Sequence, residues 1–372
     1  MVALSRGELL AGFRLQIAMA TGRSPLTAAV LRAHLRALEA RGLCALGEEL
    51  LARLAHRPSV HPLEAPLLAA AAVHYQVLAG PAHAKFLERL RALYPSVGGS
   101  FHGRPDEERA LVQALEEMAQ QGPAPWRRFL SEGRVQTHAV ERSVCWLEPA
   151  RALQARRPLP LDLVELGTGS GLLLVADQLT PDGAALRVSR RLGVDLCPVD
   201  VADGHQRLGL RACVWADQLD RLARLDAAVE RLLALRHAGD GPELYTGDMV
   251  EMLPALIRRL RGGQTPRRLI VFNALSTVYL DDEAYSRLQA RIRAELAAWP
   301  GPALWVELEP ERHGSATYLV LSACRVRSGA LERLVLGRLP PHPEPGVAWD
   351  RPASAWTRLL EEPQEGWSTS IR

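Results

Sequence analysis

Lysine is almost missing from this chain. Lys85 is the only one among 45 basic residues, so nearly every cation is arginine, which argues against Schiff-base lysine chemistry. Cysteine is sparse and unpatterned. Cys44, Cys145, Cys197, Cys213 and Cys324 are odd in number and form no C-x-x-C pair, which argues against a disulfide framework and a structural zinc site. No metal is expected. Charge of one sign is also absent: 45 basic against 42 acidic residues give +3, too weak a balance for a nucleic-acid coat or a polybasic membrane anchor. No apolar run reaches the roughly 20 residues that span a membrane, and the N-terminus lacks the pattern of a secretory signal. These absences lead us to expect a cytoplasmic protein with no nucleic-acid or membrane partner. What remains is ordinary globular composition, 48% hydrophobic and 23% charged over 372 residues, a length that suggests two domains.

The first 157 residues read as helix after helix, with Gly and Pro as punctuation and hardly any β-branched alternation. Ser24-Pro25 supplies an N-cap and a first-turn proline, and Val30, Leu31, Leu35 and Leu38 recur at helical spacing. Further helices are expected near residues 7–20, 46–56, 63–79, 82–93, 106–120 and 138–155. The character changes at Arg156-Arg157-Pro158-Leu159-Pro160, where we place the boundary of an all-helical domain, 1–157. Short apolar runs then alternate with amphipathic helices, the signature of βα units around a parallel sheet. Strands are expected at 161–166, 187–194, 243–246, 268–272 and 303–308, and helices at 214–236 and from Asp281-Asp282. Residues 317–326 and 330–337, joined at Arg327-Ser328-Gly329, read as an antiparallel pair. The expected fold is thus α/β, a doubly wound, mostly parallel sheet over 158–339 with an antiparallel C-terminal hairpin, followed by a Pro-rich tail, 340–372.

The strongest local signal is Glu165-Leu166-Gly167-Thr168-Gly169-Ser170-Gly171-Leu172, between an expected strand and an apolar run expected to be helical. Alternate glycines permit a tight turn and a close ligand approach, next to helix N–H groups that can face the ligand. A dinucleotide fingerprint needs glycine at position 172, which is Leu, and a Walker loop needs a Lys that is missing. The second strand ends in Asp195, the third is followed by Asp248-Met249, and the fourth ends at Asn273. Carboxylates and amides therefore gather at the carboxyl ends of successive strands, where open α/β sheets bind ligands. Each has a plainer role open to it. Asp195 and Asp248 can cap helices, Glu165 can simply flank the turn, and Glu307 and Glu309 can be solvated at a strand end.

An acidic residue followed by G-x-G-x-G resembles the first motif of the class I S-adenosylmethionine-dependent methyltransferases. That resemblance implies a cofactor site built from Glu165, Gly167, Thr168, Gly169, Ser170, Gly171, Asp195, Asp248, Met249 and Asn273. Asp195 would meet the ribose, Asp248 the adenine amino group and Met249 the adenine ring; S-adenosylhomocysteine would be the product. Most of the chain resembles the family named domain of unknown function 2332, through Ala72-Val73-His74-Tyr75, Tyr94-Pro95-Ser96-Val97-Gly98-Gly99, Arg134-Val135-Gln136-Thr137, the glycine loop and Gly193-Val194-Asp195-Leu196-Cys197-Pro198. It implies a methyltransferase-like domain behind a helical one and no known substrate. The chain departs from that pattern in the loop, where Thr168, Gly169 and Ser170 stand in place of Ala, Ser and Ala, at His138 and Cys197, where Asn is expected, and in its short connection before Thr180-Pro181-Asp182-Gly183.

In-line transfer to an unknown methyl acceptor would need alignment above all, with a base optional. Candidates for a base are His138, Glu141, His74 and Tyr94. Arg134, Gln136 and Arg142 are candidate substrate contacts in a polar run that equally suits an interdomain network, and His74 equally suits a packed core histidine. The competing functional reading is a methyltransferase-like fold kept as a non-enzymatic binding or interaction module.

Overall fold

The computed structural model describes residues 5–40, 44–57, 60–80, 84–136, 139–180, 186–262, 266–311, 318–340 and 349–361. Two compact units emerge, one of residues 1–138 with 200–226, the other of 139–199 with 227–372. This departs from a single boundary at 157. Residues 139–157 go with the sheet, and the chain returns to the helical unit after its second strand.

The helical unit holds α1 (Arg6–Ala20), α2 (Pro25–Glu39), α3 (Ala45–Ala55), α4 (Glu64–Ala79), α5 (Lys85–Leu93), α6 (Pro105–Gln121) and α7 (Ala124–Glu132). Ser5 and Glu8 cap α1 reciprocally, and the Ser24 hydroxyl accepts from Thr27 N–H at the start of α2. The central helix is α4. It is apolar around most of its circumference, and it packs on α1, α2 and α7 as a helix buried on all sides must.

In the second unit, α8 (Val144–Arg156) leads into seven strands: β1 (Leu161–Leu166), β2 (Val188–Asp195), β3 (Glu243–Thr246), β4 (Arg268–Ala274), β5 (Ala303–Pro310), β6 (Leu319–Arg327) and β7 (Ala330–Leu339). Their order is β3-β2-β1-β4-β5-β6-β7, with β1 to β5 parallel and the last two antiparallel. The order reverses between β1 and β4. Side chains alternate across the sheet into two cores: Leu163, Phe272 and Val306 on one face, Val164, Val271 and Trp305 on the other.

Between β2 and β3 lie α9 (Gly204–Cys213), which packs on α4 within the helical unit, and α10 (Leu219–Ala238). The expected helix 214–236 is therefore displaced. Trp215 sits in the 214–218 link, whose Asp217 accepts from Ser24 Oγ and from Leu26 N–H, so its carboxylate serves the start of α2. α11 (Met249–Leu260) and α12 (Asp282–Ala297) cover the Trp305 face, while α8 and, from the region expected to be tail, α13 (Ala353–Leu360) cover the other. The helix expected at 138–155 opens instead as a 3-10 turn, Val140–Ser143, before α8. Positions 181–183 of the expected turn lie outside the described residues.

Candidate functional site

The glycine loop is hooked to the neighbouring strand by backbone. Gly167 N–H and Thr168 N–H both donate to the Val194 carbonyl, at 2.8 and 3.0 Å. Gly167 has φ of +74°, and a Cβ there would lie 2.3 Å from Ser276 Cβ, so only glycine lets the β1 and β4 loops approach this closely. Beyond the loop the structure departs from expectation. Leu173–Gln178 forms a six-residue 3-10 helix, because Leu172 to Asp177 are buried all round and leave no solvent face for an amphipathic α-helix. The α-helix expected there is therefore replaced by this 3-10 helix, which starts directly after Gly171 and Leu172.

Asp195 ends β2 and braces the loop. Its Oδ2 accepts from Gly169 N–H at 3.0 Å and its Oδ1 from Cys197 N–H at 2.9 Å, while its own carbonyl accepts from Gly247 N–H. The carboxylate stays partly exposed, beside Leu196 at 68% exposure. Asp248 caps α11 through Oδ1, which accepts from Val250 and Glu251 N–H at 2.7 and 3.1 Å. The adjoining Met249 is half-buried, and its Cε lies 3.7 Å from where a Gly167 Cβ would sit. The ends of β1, β2 and β3 are thus drawn into one place.

Glu165 is different. It is 2% exposed, and its Oε2 accepts from Thr168 Oγ1 at 2.7 Å. Burial pushes its carboxyl well above the usual range, and the charge of Asp195 adds to the rise against the Thr168 hydrogen bond. Ser170 is fully buried.

Asn273, at the end of β4, faces a partner set that sequence reading missed. Its Nδ2 donates to Glu309 Oε1 at 2.7 Å and its Oδ1 accepts from Trp305 Nε1 at 2.7 Å. Leu275, with φ of +56°, turns the chain in the left-handed region that a branched side chain avoids, a strain costing about 1–3 kcal/mol. That turn aims Ser276 and Thr277 N–H at the same Glu309 Oε1, at 2.9 and 3.0 Å, and lets Ser276 Oγ donate to the Leu166 carbonyl. Glu309 Oε2 is buried and has no hydrogen-bond partner among the described residues. Burial raises Glu309, and burial reinforced by the Glu309 charge pushes Glu307 up to about 7, with Tyr285 hydroxyl donating to it at 3.2 Å. The alternation of Glu307 and Glu309 was visible in the sequence; their enclosure by the Leu275 turn was not.

The expected polar run divides between the units. Arg134 and Gln136 belong to the helical unit, and His138 lies outside the described residues. Glu141 and Arg142 lie in the Val140–Ser143 turn, which packs against the 3-10 helix that follows the glycine loop. His74 and Tyr94 are core residues of the helical unit, 3% and 2% exposed. Among the described residues no three His, Cys, Asp or Glu side chains gather so as to hold a metal ion, and no helix is long and apolar enough to cross a membrane.

The family model described as "Uncharacterized protein conserved in bacteria (DUF2332)" matches residues 12–183 and 178–349. No curated protein matches the chain. Among solved structures, the sugar N-methyltransferase KedS8 from Streptoalloteichus sp. ATCC 53650 is 14% identical, with a TM-score of 0.23 over 59% of this chain and 77% of its own. A likeness at that score carries no argument about function.

Proposed function

The chain belongs to the bacterial DUF2332 family, and we propose that its α/β unit binds S-adenosylmethionine at the carboxyl ends of β1, β2 and β3 and serves as a methyltransferase for an acceptor of unknown identity. One observation carries the reading. Asp195 stands at the tip of β2, partly exposed, with each oxygen holding a single backbone N–H and keeping a lone pair for a ribose hydroxyl.

The residues at this end of the site suit an adenosine moiety. Asp248 caps its helix through Oδ1 alone, which leaves Oδ2 exposed for the adenine amino group, so the capping and ligand roles are compatible. Half-buried Met249 and exposed Leu196 add apolar surface next to these two carboxylates in the chain. The bound cofactor would supply an electrophilic methyl group. The end that would receive its methionine moiety is less open: Glu165 is closed by Thr168, Asn273 is consumed by Trp305 and Glu309, and Ser276 sits over Gly167.

That enclosure favours a second reading, a non-enzymatic module that keeps the nucleoside end alone. Parallel calorimetric titrations with adenosine and with S-adenosylhomocysteine separate the two. Tighter binding of the homocysteine-bearing ligand supports the full cofactor site. Equal affinity shows that the amino-acid part makes no contact and supports the module.

A further inference from the structure

We propose that Ser96 is an acyl-transfer nucleophile and His74 its general base, in a site carried wholly by the helical unit and independent of the cofactor reading. Two segments far apart in sequence, Ala72 to Tyr75 and Tyr94 to Gly99, meet through these two side chains, with His74 Nε2 2.8 Å from Ser96 Oγ.

The direction of that hydrogen bond follows from the other side of the ring. His74 Nδ1 lies 3.0 Å from the Val214 carbonyl and 3.2 Å from the Ala212 carbonyl. Carbonyls only accept, so Nδ1 carries the proton, and in the neutral ring Nε2 holds a lone pair. The Ser96 hydroxyl must therefore donate, which polarises Oγ. Burial keeps the ring neutral by pushing the His74 pKa down to about 4, against the two carbonyls, so the lone pair is present throughout the neutral range. This is the arrangement of an activated nucleophile: hydroxyl on base, base held by a third group, with backbone carbonyls in the place a carboxylate takes in a triad.

Ser96 is also presented. It is partly exposed in the 3-10 turn Pro95–Val97, which is pinned by Gly98 N–H to Pro95 O, Gly99 N–H to Tyr94 O and Ser100 N–H to Ala92 O. Gly98 takes φ of +88°, and nothing lies within 4 Å of where its Cβ would be, so the surface two residues from the hydroxyl is open. The buried Tyr94 ring packs tilted against the imidazole, with centroids 5.7 Å apart.

An imidazole backed by carbonyls and not by a carboxylate gives a modest base, which suits acyl groups with good leaving groups, and the substrate class is thioesters or activated esters. Ser96 Oγ bonds to the acyl carbon as its proton passes to His74 Nε2. The C–S or C–O bond then breaks, and that proton leaves with the thiol or alcohol. Water cleaves the acyl-serine in turn, giving a proton through Nε2 back to Oγ and releasing the carboxylic acid.

The test is labelling of the full chain with a fluorophosphonate probe, peptide mass spectrometry of the adduct, and hydrolysis of p-nitrophenyl acetate. The expected result is one phosphonyl group on Ser96, with adduct and hydrolysis abolished in Ser96→Ala and labelling slowed about 100-fold or more in His74→Asn. His74 is a core residue, so Ser96→Ala, which removes only a partly exposed hydroxyl, carries the test where the His74 variant does not fold. No adduct on folded protein, an adduct elsewhere, or equal labelling in folded His74→Asn would overturn the proposal.

Discussion

The two units should respond to acid in opposite directions. In the helical unit, burial pushes both His34 and His74 down to about 4, against the hydrogen bonds that His34 Nδ1 donates to the Val30 carbonyl and His74 Nδ1 to the Ala212 and Val214 carbonyls. An unfolded histidine titrates near 6.5. As pH falls below that value the unfolded chain takes up protons that the folded unit refuses, so stability is lost between about pH 6.5 and 4 and is fully present above. Carried from pH 7 to 4.5, each histidine should cost on the order of 2–3 kcal/mol. In the α/β unit the sign reverses. Glu307 is raised to about 7, so the folded state holds a proton that the unfolded chain has lost, and stability is gained as pH falls from 7 towards 4.5, on the order of 2–3 kcal/mol. Glu165 and Glu309, also raised by burial, add in the same direction. Hydrogen exchange read separately over α4 and over β1, β4 and β5 at pH 7 and pH 4.5 measures both. Protection should fall in α4 and hold or rise in the strands. Replacing His34, whose buried Nε2 has no partner among the described residues, by Leu should remove about half of the acid loss without lowering stability at pH 7. Unchanged protection of α4 at pH 4.5 would refute the reasoning.

Other perturbations test the site's framework. Gly167→Ala meets both a positive φ and Ser276 Cβ at 2.3 Å, and should lower stability to urea by about 2 kcal/mol or more. Trp305→Phe leaves Asn273 Oδ1 buried without its donor, and should cost on the order of 1–3 kcal/mol in the same assay, with β5 exchange rising first. Leu275→Gly relieves the left-handed strain but gives up apolar packing, so the change in urea stability should be small beside that of Gly167→Ala.

What could be read from sequence was what local pattern controls. β1 and β4 stood out because strands buried on both faces are continuous apolar runs, whereas β2 carries Arg190 and Arg191 in its first half, which reach Asp162 and Asp177, and only its second half looks like core. The glycine loop was legible because its backbone demands glycine. The 3-10 helix after it was not, because burial on every side, and not periodicity, decides its form. α7 and α9 went unseen because both are short and find their buried faces against α4, elsewhere in the sequence. The same holds for the polar cluster at the switch between β1 and β4. Asn273 and the alternating Glu307 and Glu309 were in view, but what joins them is the Leu275 turn, a tertiary feature without a local signature.

The most direct test of the cofactor claim is calorimetric titration of the purified protein with S-adenosylhomocysteine, beside Asp195→Ala and with NAD as the control ligand. The account predicts micromolar binding to the native protein, no response to NAD, and at least a tenfold loss in the variant, as one or two charge-assisted hydrogen bonds worth about 1.5–3 kcal/mol each disappear. Absence of binding at millimolar ligand, by protein shown to be folded, would contradict it.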